Sequence, residues 1–209
     1  MTSVATLIGD VVGSRTAVDR QALHTRLEET LVHVNQQTQP VQPLRVTVGD
    51  EFQGAWPTRG QALHAALVLR LGLLPEIDTR YGLSHGEVTA LSQDGSVQDG
   101  PGWLQAREAI TLAKGAEASA RADSRVVRTR WLEDSPVGLA VDAAVRHRDL
   151  LIADLDDRSL RLLAGLLEGT SQRALAETEA ISPTAVSRRV HRDALDQIVA
   201  LDTELEALP

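Results

Sequence analysis

The pattern of apolar and polar positions predicts strands and helices in alternation over the first part of the chain. "SVATLIGDVVGS" is apolar and β-branched and ends in glycine and serine, which predicts a strand followed by a loop. "DRQALHTRLEETLVHVNQQ" predicts a helix, because apolar residues recur at helical spacing from Leu23 to Val34. "LRVTVGDEFQGAW" alternates on both sides of Gly49 and Asp50, which predicts a hairpin that turns at the glycine.

The same alternation continues to about residue 131. "TRGQALHAALVLRLGLLP" predicts a second helix that stops at Pro75, and "DTRYGLSHGEVTAL" predicts a strand. A loop over "SQDGSVQDGPG", a helix over "WLQAREAITLAKGAEAS" and a strand over "SRVVRTRW" follow. The order β-α-β-β-α-β-α-β with a central hairpin predicts an α/β (α+β) fold of the ferredoxin-like kind.

The rest of the chain shows only helical periodicity. The strand pattern ends around "LEDSPVG" at 132–137, and every later apolar stretch has helical spacing. We therefore predict two domains, an N-terminal region at 1–135 and a C-terminal all-α region at 136–209. A length of 209 residues accommodates two small domains.

Composition narrows the classes of function. Hydrophobic residues make up 43% and charged residues 24%, which is ordinary for a globular protein in water. The N-terminus has no basic segment of a signal peptide, no run approaches a membrane span, and the chain contains no cysteine, so the expected compartment is the cytoplasm. The net charge of −8 argues against a general polyanion binder, so any contact with nucleic acid requires a local basic patch.

Two aspartates are predicted to meet at one edge of the sheet. Asp10 ends the first strand and Asp50 lies on the hairpin. In a β-α-β-β arrangement the first strand is central and neighbours the hairpin, so the two carboxylates face each other. Such a pair predicts a site for Mg²⁺ or Mn²⁺, which is completed by phosphate oxygens and water. The alternative is that both acids only serve turns, where acids are common.

The loop after the first strand predicts a phosphate-binding turn. Its glycine and serine precede a helix, whose N-terminus would favour a triphosphate, and an arginine there would pair with a phosphate. The residues predicted to bind the nucleotide are Val11, Val12, Gly13, Ser14 and Arg15. Glu51 stays open between an outer metal ligand and a solvated residue of the hairpin.

Four segments resemble the SatD family, a group of bacterial proteins of similar length: "LIGDVVGSR", "VTVGDEFQG", "YGLSHGEV" and "DGPGWLQAREAI". More distantly, the same segments resemble class III nucleotidyl cyclases and the GGDEF-type palm. This resemblance implies a palm fold that binds a nucleoside triphosphate through Mg²⁺ held by Asp10 and Asp50. It also implies that Arg107 is the phosphate-stabilising arginine, so Asp10, Asp50 and Arg107 are the predicted catalytic residues.

The sequence departs from the cyclase pattern at two positions. Cyclases usually carry a lysine shortly before the hairpin Gly-Asp, where Val46 stands here beside Arg45. They carry an asparagine four residues before the helical arginine, where Trp103 stands here. Loss of such groups removes transition-state stabilisation, which indicates binding of metal and triphosphate without cyclisation. An active Mg²⁺-dependent nucleotidyl cyclase or nucleotidyltransferase is the alternative.

The segment "TSQRALAETEAISPTAVSRRVHRDALDQIVAL" predicts a helix-turn-helix. A first helix at about 172–179 and the turn "AIS" are followed by Ser182 as N-cap and Pro183 at the first helical position. Residues 184–192 hold three arginines and no acid, which is the basic patch that double-stranded DNA requires. The predicted DNA-binding residues are Thr184, Ser187, Arg188, His191 and Arg192. The alternative is a helical hairpin that packs on the first domain.

Together these features predict a nucleotide-responsive regulator. A ligand in the palm would shift the orientation or dimerisation of the DNA-binding module, which requires different affinities for the two states. The acidic, amphipathic "LDTELEAL" predicts an extension of the last helix into a homodimer contact. A plain DNA-binding or partner-binding protein on an inert palm is the remaining alternative.

Overall fold

The computed structural model describes residues 2–14, 18–93, 98–120 and 125–209. The strands are β1 (Thr2–Val11), β2 (Gln42–Val48), β3 (Glu51–Trp56), β4 (Thr79–Ala90), β5 (Gln98–Asp99) and β6 (Thr129–Trp131). The helices of the N-terminal region are α1 (Arg20–Thr38), α2 (Arg59–Leu73) and α3 (Pro101–Ala118). The helices of the C-terminal region are α4 (Pro136–Ile152), α5 (Asp157–Leu167), α6 (Gln172–Thr178), α7 (Pro183–Arg192) and α8 (Leu195–Glu206).

The sheet has the predicted arrangement, with β1 at its centre. The strand order is β2-β3-β1-β4, with β5 and β6 both paired to β4, and every pairing is antiparallel except that of β4 with β6. The mixed α/β fold with a central first strand is therefore confirmed. β5 lies inside the segment predicted as a loop. β6 is shorter than predicted, because Asp149 Oδ2 accepts the Arg128 N–H at 2.7 Å just before the strand.

Helices cover both faces of the sheet, and the alternation along β1 decides which residues face which helix. Ala5 and Leu7 join the core formed with α1 and α2. Val4 and Ile8 join a second cluster with residues of α3. Because side chains alternate along a strand, Asp10 projects on the α3 side, two residues beyond Ile8. The strand thus aims its terminal carboxylate at α3.

Helix α3 lies unusually close to the sheet. A Cβ at Gly82 of β4 would lie 2.2 Å from Ile110 N and 2.3 Å from Ala106 O, so any side chain there would push the helix away. Thr6 Oγ1 donates to Gly102 O at 2.9 Å and fixes the start of the helix. These contacts hold the later turns of α3 over the end of β1.

The C-terminal region shares its core with the N-terminal region. Val141 and Val145 of α4 and Leu205 of α8 belong to the cluster beneath the sheet, while Leu67 and Leu71 of α2 belong to the cluster formed by the last helices. The predicted boundary at 135/136 falls directly before α4 and stays a prediction. Leu205 and Leu208 pack against the core of their own chain. These two leucines of "LDTELEAL" are therefore not available for the predicted homodimer contact.

Buried charges join the two regions. Arg70 of α2 forms an ion pair with Asp149 of α4, and Asp149 also accepts the Thr129 N–H at 2.5 Å. Arg148 of α4 lies 3.2 Å from Asp202 of α8. Asp202 Oδ2 accepts from His64 Nδ1 at 2.6 Å, and this hydrogen bond raises the pKa of His64 against the lowering effect of burial. Buried charges of this kind require every partner to be in place.

Among the described residues, no helix combines the length and the hydropathy that a membrane crossing requires.

Candidate functional site

The ends of β1 and β4, the β2–β3 hairpin and α3 enclose a cavity of about 450 Å³. Its lining residues are Asp10, Val11, Gly13, Ser14, Val48, Asp50, Glu51, Arg80 and Lys114. The structure therefore brings both predicted metal ligands to one cavity. It also brings three of the residues predicted to bind the nucleotide to the same place. We call this cavity the Asp10 pocket.

Asp10 is buried between two cations. Its Oδ2 lies 2.5 Å from Lys114 Nζ on α3, and its Oδ1 lies 3.2 Å from Arg80 Nε on β4. Arg80 is the cross-strand partner of Asp10 in the β1–β4 register, which explains why the two side chains share one face. The contact with Arg80 lacks hydrogen-bond geometry, and Asp10 Oδ1 has no hydrogen-bond partner among the described residues. One buried carboxylate oxygen is therefore left without a directed donor.

Asp50 enters the pocket from the hairpin. Gly49 precedes it with a φ of 64°, the left-handed conformation that glycine adopts without strain, so the predicted turn is confirmed. The next residue, Glu51, forms a two-pronged ion pair with Arg107 of α3, whose Nη2 donates to Oε1 at 2.6 Å. This hydrogen bond, with the charges of Glu51 and Asp10, raises the pKa of Arg107. Glu51 is thus the partner of Arg107, and Arg107 lies beside the pocket.

The donor set fits a magnesium ion that brings its own ligands. No group of three histidine, cysteine, aspartate or glutamate side chains placed to hold a metal occurs in the part of the chain that the structure describes. Mg²⁺ in nucleotide sites is commonly held by one or two carboxylates together with phosphate oxygens and water. Asp10 and Asp50 supply two carboxylates, and Asp10 Oδ1 supplies an oxygen without a donor. The pocket residues therefore fit a magnesium ion that arrives bound to phosphates better than they fit a free magnesium ion.

The loop after β1 contributes unevenly to the Asp10 pocket. The Val11 side chain is buried in the core, and the Val12 N–H donates to Asp78 O at 2.9 Å. Gly13 has a φ of 68°, and Ser14 is buried at the pocket wall. Arg15 lies outside the described residues. The nucleotide-binding role of these residues stays a prediction.

The predicted helix N-terminus near this loop is already capped by the chain itself. α1 begins at Arg20, and Asp19 Oδ1 accepts the Ala22 N–H at 2.9 Å. Asp19 therefore accepts a hydrogen bond from one of the free backbone N–H groups at the N-terminus of α1. Among the described residues that line the pocket, Arg80 and Lys114 are the groups with the charge that phosphates require.

Arg80 and Lys114 are the two charged pocket residues that sequence reasoning missed. The pairing of Arg80 with Asp10 depends on strand register, and that of Lys114 depends on how α3 docks, so neither follows from a local motif. One signal was available in the sequence. Of the 21 basic residues, 20 are arginine, and Lys114 is the only lysine.

The tryptophan that replaces the cyclase asparagine is a core residue. Trp103 packs in the cluster between the sheet and α3, and its Nε1 donates to Gln98 Oε1 at 3.2 Å. Its polar group is therefore used inside the fold and does not line the Asp10 pocket.

Helix α7 carries the residues predicted to bind DNA. Ser182 caps α7 by accepting the Ala185 N–H, and Pro183 occupies the first turn, as predicted. Thr184, Arg188, His191 and Arg192 are exposed, and Ser187 is half-buried. Arg192 Nε donates to Asp193 Oδ1 at 2.6 Å, while Arg189 turns inward to Asp156. The exposed positive charge of α7 is thus smaller than the sequence suggested, and a DNA interface here stays a prediction.

Solved cyclase domains resemble part of the structure. The monomeric guanylyl cyclase domain of the RhoGC fusion protein from Blastocladiella emersonii is 19% identical over 53% of this chain and 75% of that chain, with a TM-score of 0.45. A bacterial light-regulated adenylyl cyclase is 14% identical over 67% of this chain and 44% of that chain, with a TM-score of 0.48. The adenylate/guanylate cyclase/hydrolase from Silicibacter pomeroyi is 22% identical over 53% of this chain and 69% of that chain, with a TM-score of 0.41.

No curated protein sequence matches this chain at a significant level. The sequence profile of the SatD family matches residues 4–203, which is nearly the whole described chain, and the protein therefore belongs to the SatD family.

Proposed function

We propose that the Asp10 pocket binds a nucleoside triphosphate together with Mg²⁺ or Mn²⁺. The observation that carries this proposal is the mixture of charges in one cavity of about 450 Å³. Carboxylates suit a divalent cation, and the ammonium and guanidinium groups of Lys114 and Arg80 suit phosphate oxygens. A metal–triphosphate complex carries both kinds of charge and would engage both kinds of side chain.

Each residue then has a defined role. Asp10 and Asp50 would hold the metal. Lys114 and Arg80 would bind phosphates, near Gly13 and Ser14. Arg107 would assist a phosphate only after releasing Glu51, since its guanidinium is engaged in that ion pair.

We infer that the ligand acts on a DNA-binding module built from α6 and α7. Arg188 supports this role, because its side chain is exposed on α7. The core shared by α2 and the last helices packs this module against the N-terminal region. The protein would then be a nucleotide-responsive regulator, in which the ligand changes DNA affinity and DNA changes ligand affinity by the same factor.

An active cyclase is the less favoured function. Trp103 is buried where cyclases carry a polar asparagine, and Arg107 is engaged by Glu51. Both features remove groups that would stabilise charge in a transition state. Metal-dependent release of pyrophosphate from a nucleoside triphosphate would establish the enzyme instead.

Thermal unfolding tests the nucleotide site. We would measure the unfolding midpoint with ATP, GTP, CTP and UTP, each with and without Mg²⁺, for the native chain and for Asp50→Asn. A ligand at 100 times its dissociation constant adds about 2.7 kcal/mol to the free energy of unfolding. We expect a Mg²⁺-dependent rise with at least one nucleotide that is absent in the variant. No rise with any nucleotide would leave a DNA-binding protein on an inert palm.

Fluorescence anisotropy with a labelled duplex tests the DNA-binding module. Arg188→Ala should weaken binding to any sequence and flatten the salt dependence by about one unit of slope, as loss of one phosphate contact does. Arg146→Ala is the control, since Arg146 lies on α4 outside the predicted interface. Equal DNA affinity of the native chain, Arg188→Ala and Arg146→Ala would contradict the assignment of α7 to DNA.

A further inference from the structure

The chain's only lysine sits on the carboxylate proposed to hold the metal. Lys114 Nζ is 2.5 Å from Asp10 Oδ2, while the other 20 basic residues of the chain are arginines. An ammonium is a compact charge on a flexible stem, whereas a guanidinium is planar and rigid. The only ammonium side chain of the sequence, that of Lys114, therefore faces the Asp10 carboxylate.

Lys114 and a divalent cation would compete for Asp10, because Lys114 Nζ already contacts Oδ2. A metal ion would approach the same carboxylate to within about 2.1 Å, and a neighbouring ammonium would repel it. Within the free protein Lys114 already supplies the positive charge that Asp10 needs. A metal ion alone would therefore have to displace an internal cation that is tethered beside its binding site.

Of the two cations that contact Asp10 within the described part of the chain, Lys114 is the one that can leave. Its side chain is 42% exposed, whereas that of Arg80 is 15% exposed and also lies 3.4 Å from Glu117. Lysine has four rotatable side-chain bonds, so Nζ can move several ångströms without any change in α3. The pocket wall beside it is lined by Gly13 and Ser14, where phosphates are proposed to lie.

We propose that Lys114 is an exchangeable internal cation that occupies Asp10 in the free protein and moves to the phosphates when metal and nucleotide arrive together. This inference rests on the nucleotide site proposed above. Its consequence is strong coupling, because the nucleotide removes the competitor of the metal and the metal frees the lysine for the nucleotide. Metal alone then binds weakly, and the two ligands raise each other's affinity by the same factor.

The substitution Lys114→Met separates the two roles of the lysine. Methionine keeps an unbranched apolar stem and removes the charge, so the half-exposed site should tolerate it. The control Arg146→Met removes one positive charge from an exposed position on α4. Lys114→Gln serves as a second variant with the same expected result. Circular dichroism checks that all variants fold.

Calorimetric titrations with Mn²⁺ alone and with inorganic triphosphate alone provide the test. We expect Lys114→Met to bind Mn²⁺ about tenfold more tightly than the native chain and to bind triphosphate about tenfold more weakly, each a change of about 1.4 kcal/mol. Arg146→Met should match the native chain in both titrations. Opposite changes for the two ligands are the result that an exchanged cation requires.

Three results would overturn the proposal, and they separate it from the nucleotide site. Equal Mn²⁺ affinity in Lys114→Met and the native chain would show that the lysine does not compete, while the metal site stands. Weaker triphosphate binding with unchanged Mn²⁺ binding would make Lys114 a permanent phosphate ligand. No binding of Mn²⁺, triphosphate or ATP by either protein would remove the nucleotide site and the exchange together.

Discussion

Two clusters of charged side chains in this protein differ in how much water reaches them. The junction cluster comprises His64, Arg70, Arg148, Asp149 and Asp202, and its arginine and aspartate side chains are at most 5% exposed. The pocket cluster comprises Asp10, Glu51, Arg80, Arg107 and Lys114, and the side chains of Arg107 and Lys114 are 47% and 42% exposed. The same kinds of ion pair therefore occur in two different environments.

The difference in exposure indicates different roles for the two clusters, a structural role for the junction cluster and an exchange of partners for the pocket cluster. A buried charge that loses its partner bears a large desolvation cost, so the junction cluster is fixed once the chain has folded. A half-exposed charge can return to water at little cost, since exposed ion pairs contribute about 0–1 kcal/mol. Arg107 and Lys114 of the pocket cluster can therefore change partners when a ligand arrives, while the junction cluster holds the two regions together.

The largest expected effect comes from breaking the junction cluster at Asp149. Asp149→Asn leaves Arg70 without its countercharge. The amide oxygen can accept the two backbone N–H groups that Asp149 Oδ2 accepts only if the amide NH2 faces the Arg70 guanidinium. We expect a loss of about 3–5 kcal/mol in the free energy of unfolding, measured by urea denaturation. Asp154→Asn is the matched control, because its ion pair with Arg125 is exposed and should contribute less than about 1 kcal/mol. Equal effects of the two variants would contradict the comparison.

The next effect concerns ligand binding at Asp10. Asp10→Asn should abolish the stabilisation of about 2.7 kcal/mol that Mg²⁺ and the bound nucleotide give at 100 times the dissociation constant. Without ligand, the same variant should cost less stability than Asp149→Asn, because Lys114 is 42% exposed and can return to water while Arg80 keeps its contact with Glu117. Thermal unfolding with and without ligand measures both. A large loss of stability without ligand would place Asp10 with the structural charges.

A smaller effect is expected from the pH dependence of the junction cluster. The hydrogen bond from His64 to Asp202 raises the pKa of His64, so the folded state binds its proton more tightly than the unfolded state. This contribution is fully present below the ordinary histidine pKa of about 6.5 and is lost as pH rises through the folded-state pKa. The free energy of unfolding should therefore fall over this range.

The difference between the native chain and His64→Gln isolates this dependence. The comparison is needed because burial lowers the pKa of His85, which adds a contribution of opposite sign in both proteins. Urea denaturation at several pH values from 5 to 9 gives the difference curve. A difference curve that is flat or rises with pH would contradict the role given to His64.

The smallest expected effect is at the rim of the pocket cluster. Glu51→Gln removes the countercharge of Arg107, which is half-exposed, so the free energy of unfolding should change by less than about 1 kcal/mol. The freed guanidinium should bind inorganic triphosphate more tightly than that of the native chain in a calorimetric titration. Weaker triphosphate binding by Glu51→Gln would instead show that Glu51 positions Arg107 for its ligand.

The sequence was sufficient for the features that local patterns determine. The meeting of Asp10 and Asp50 followed from strand order alone, because β1 is central in a β-α-β-β arrangement. The start of α7 followed from the capping preference of serine and the place of proline at Ser182 and Pro183. These predictions rest on the periodicity and the backbone chemistry of neighbouring residues.

The remaining features depend on how distant elements dock. Arg80 reaches Asp10 through the β1–β4 register, and Lys114 reaches it through the close approach of α3 at Gly82. The ion pair of Arg70 with Asp149 joins residues 79 positions apart on two helices. On a helical pattern both residues look like polar surface positions, so sequence alone gave no sign that they would be buried.

The central claim is that the cation at Asp10 changes partner when ligand binds, and the single lysine makes it directly observable. Selective ¹³C labelling of lysine would give one side-chain Cε signal, from Lys114, in a proton–carbon NMR spectrum. We predict that Mg²⁺ alone leaves this signal where it is, and that Mg²⁺ together with the nucleotide that stabilises the protein moves it. Asp10→Asn should move it without any ligand. A signal that stays unchanged under saturating Mg²⁺ and nucleotide would show that Lys114 never leaves Asp10, and would contradict the claim.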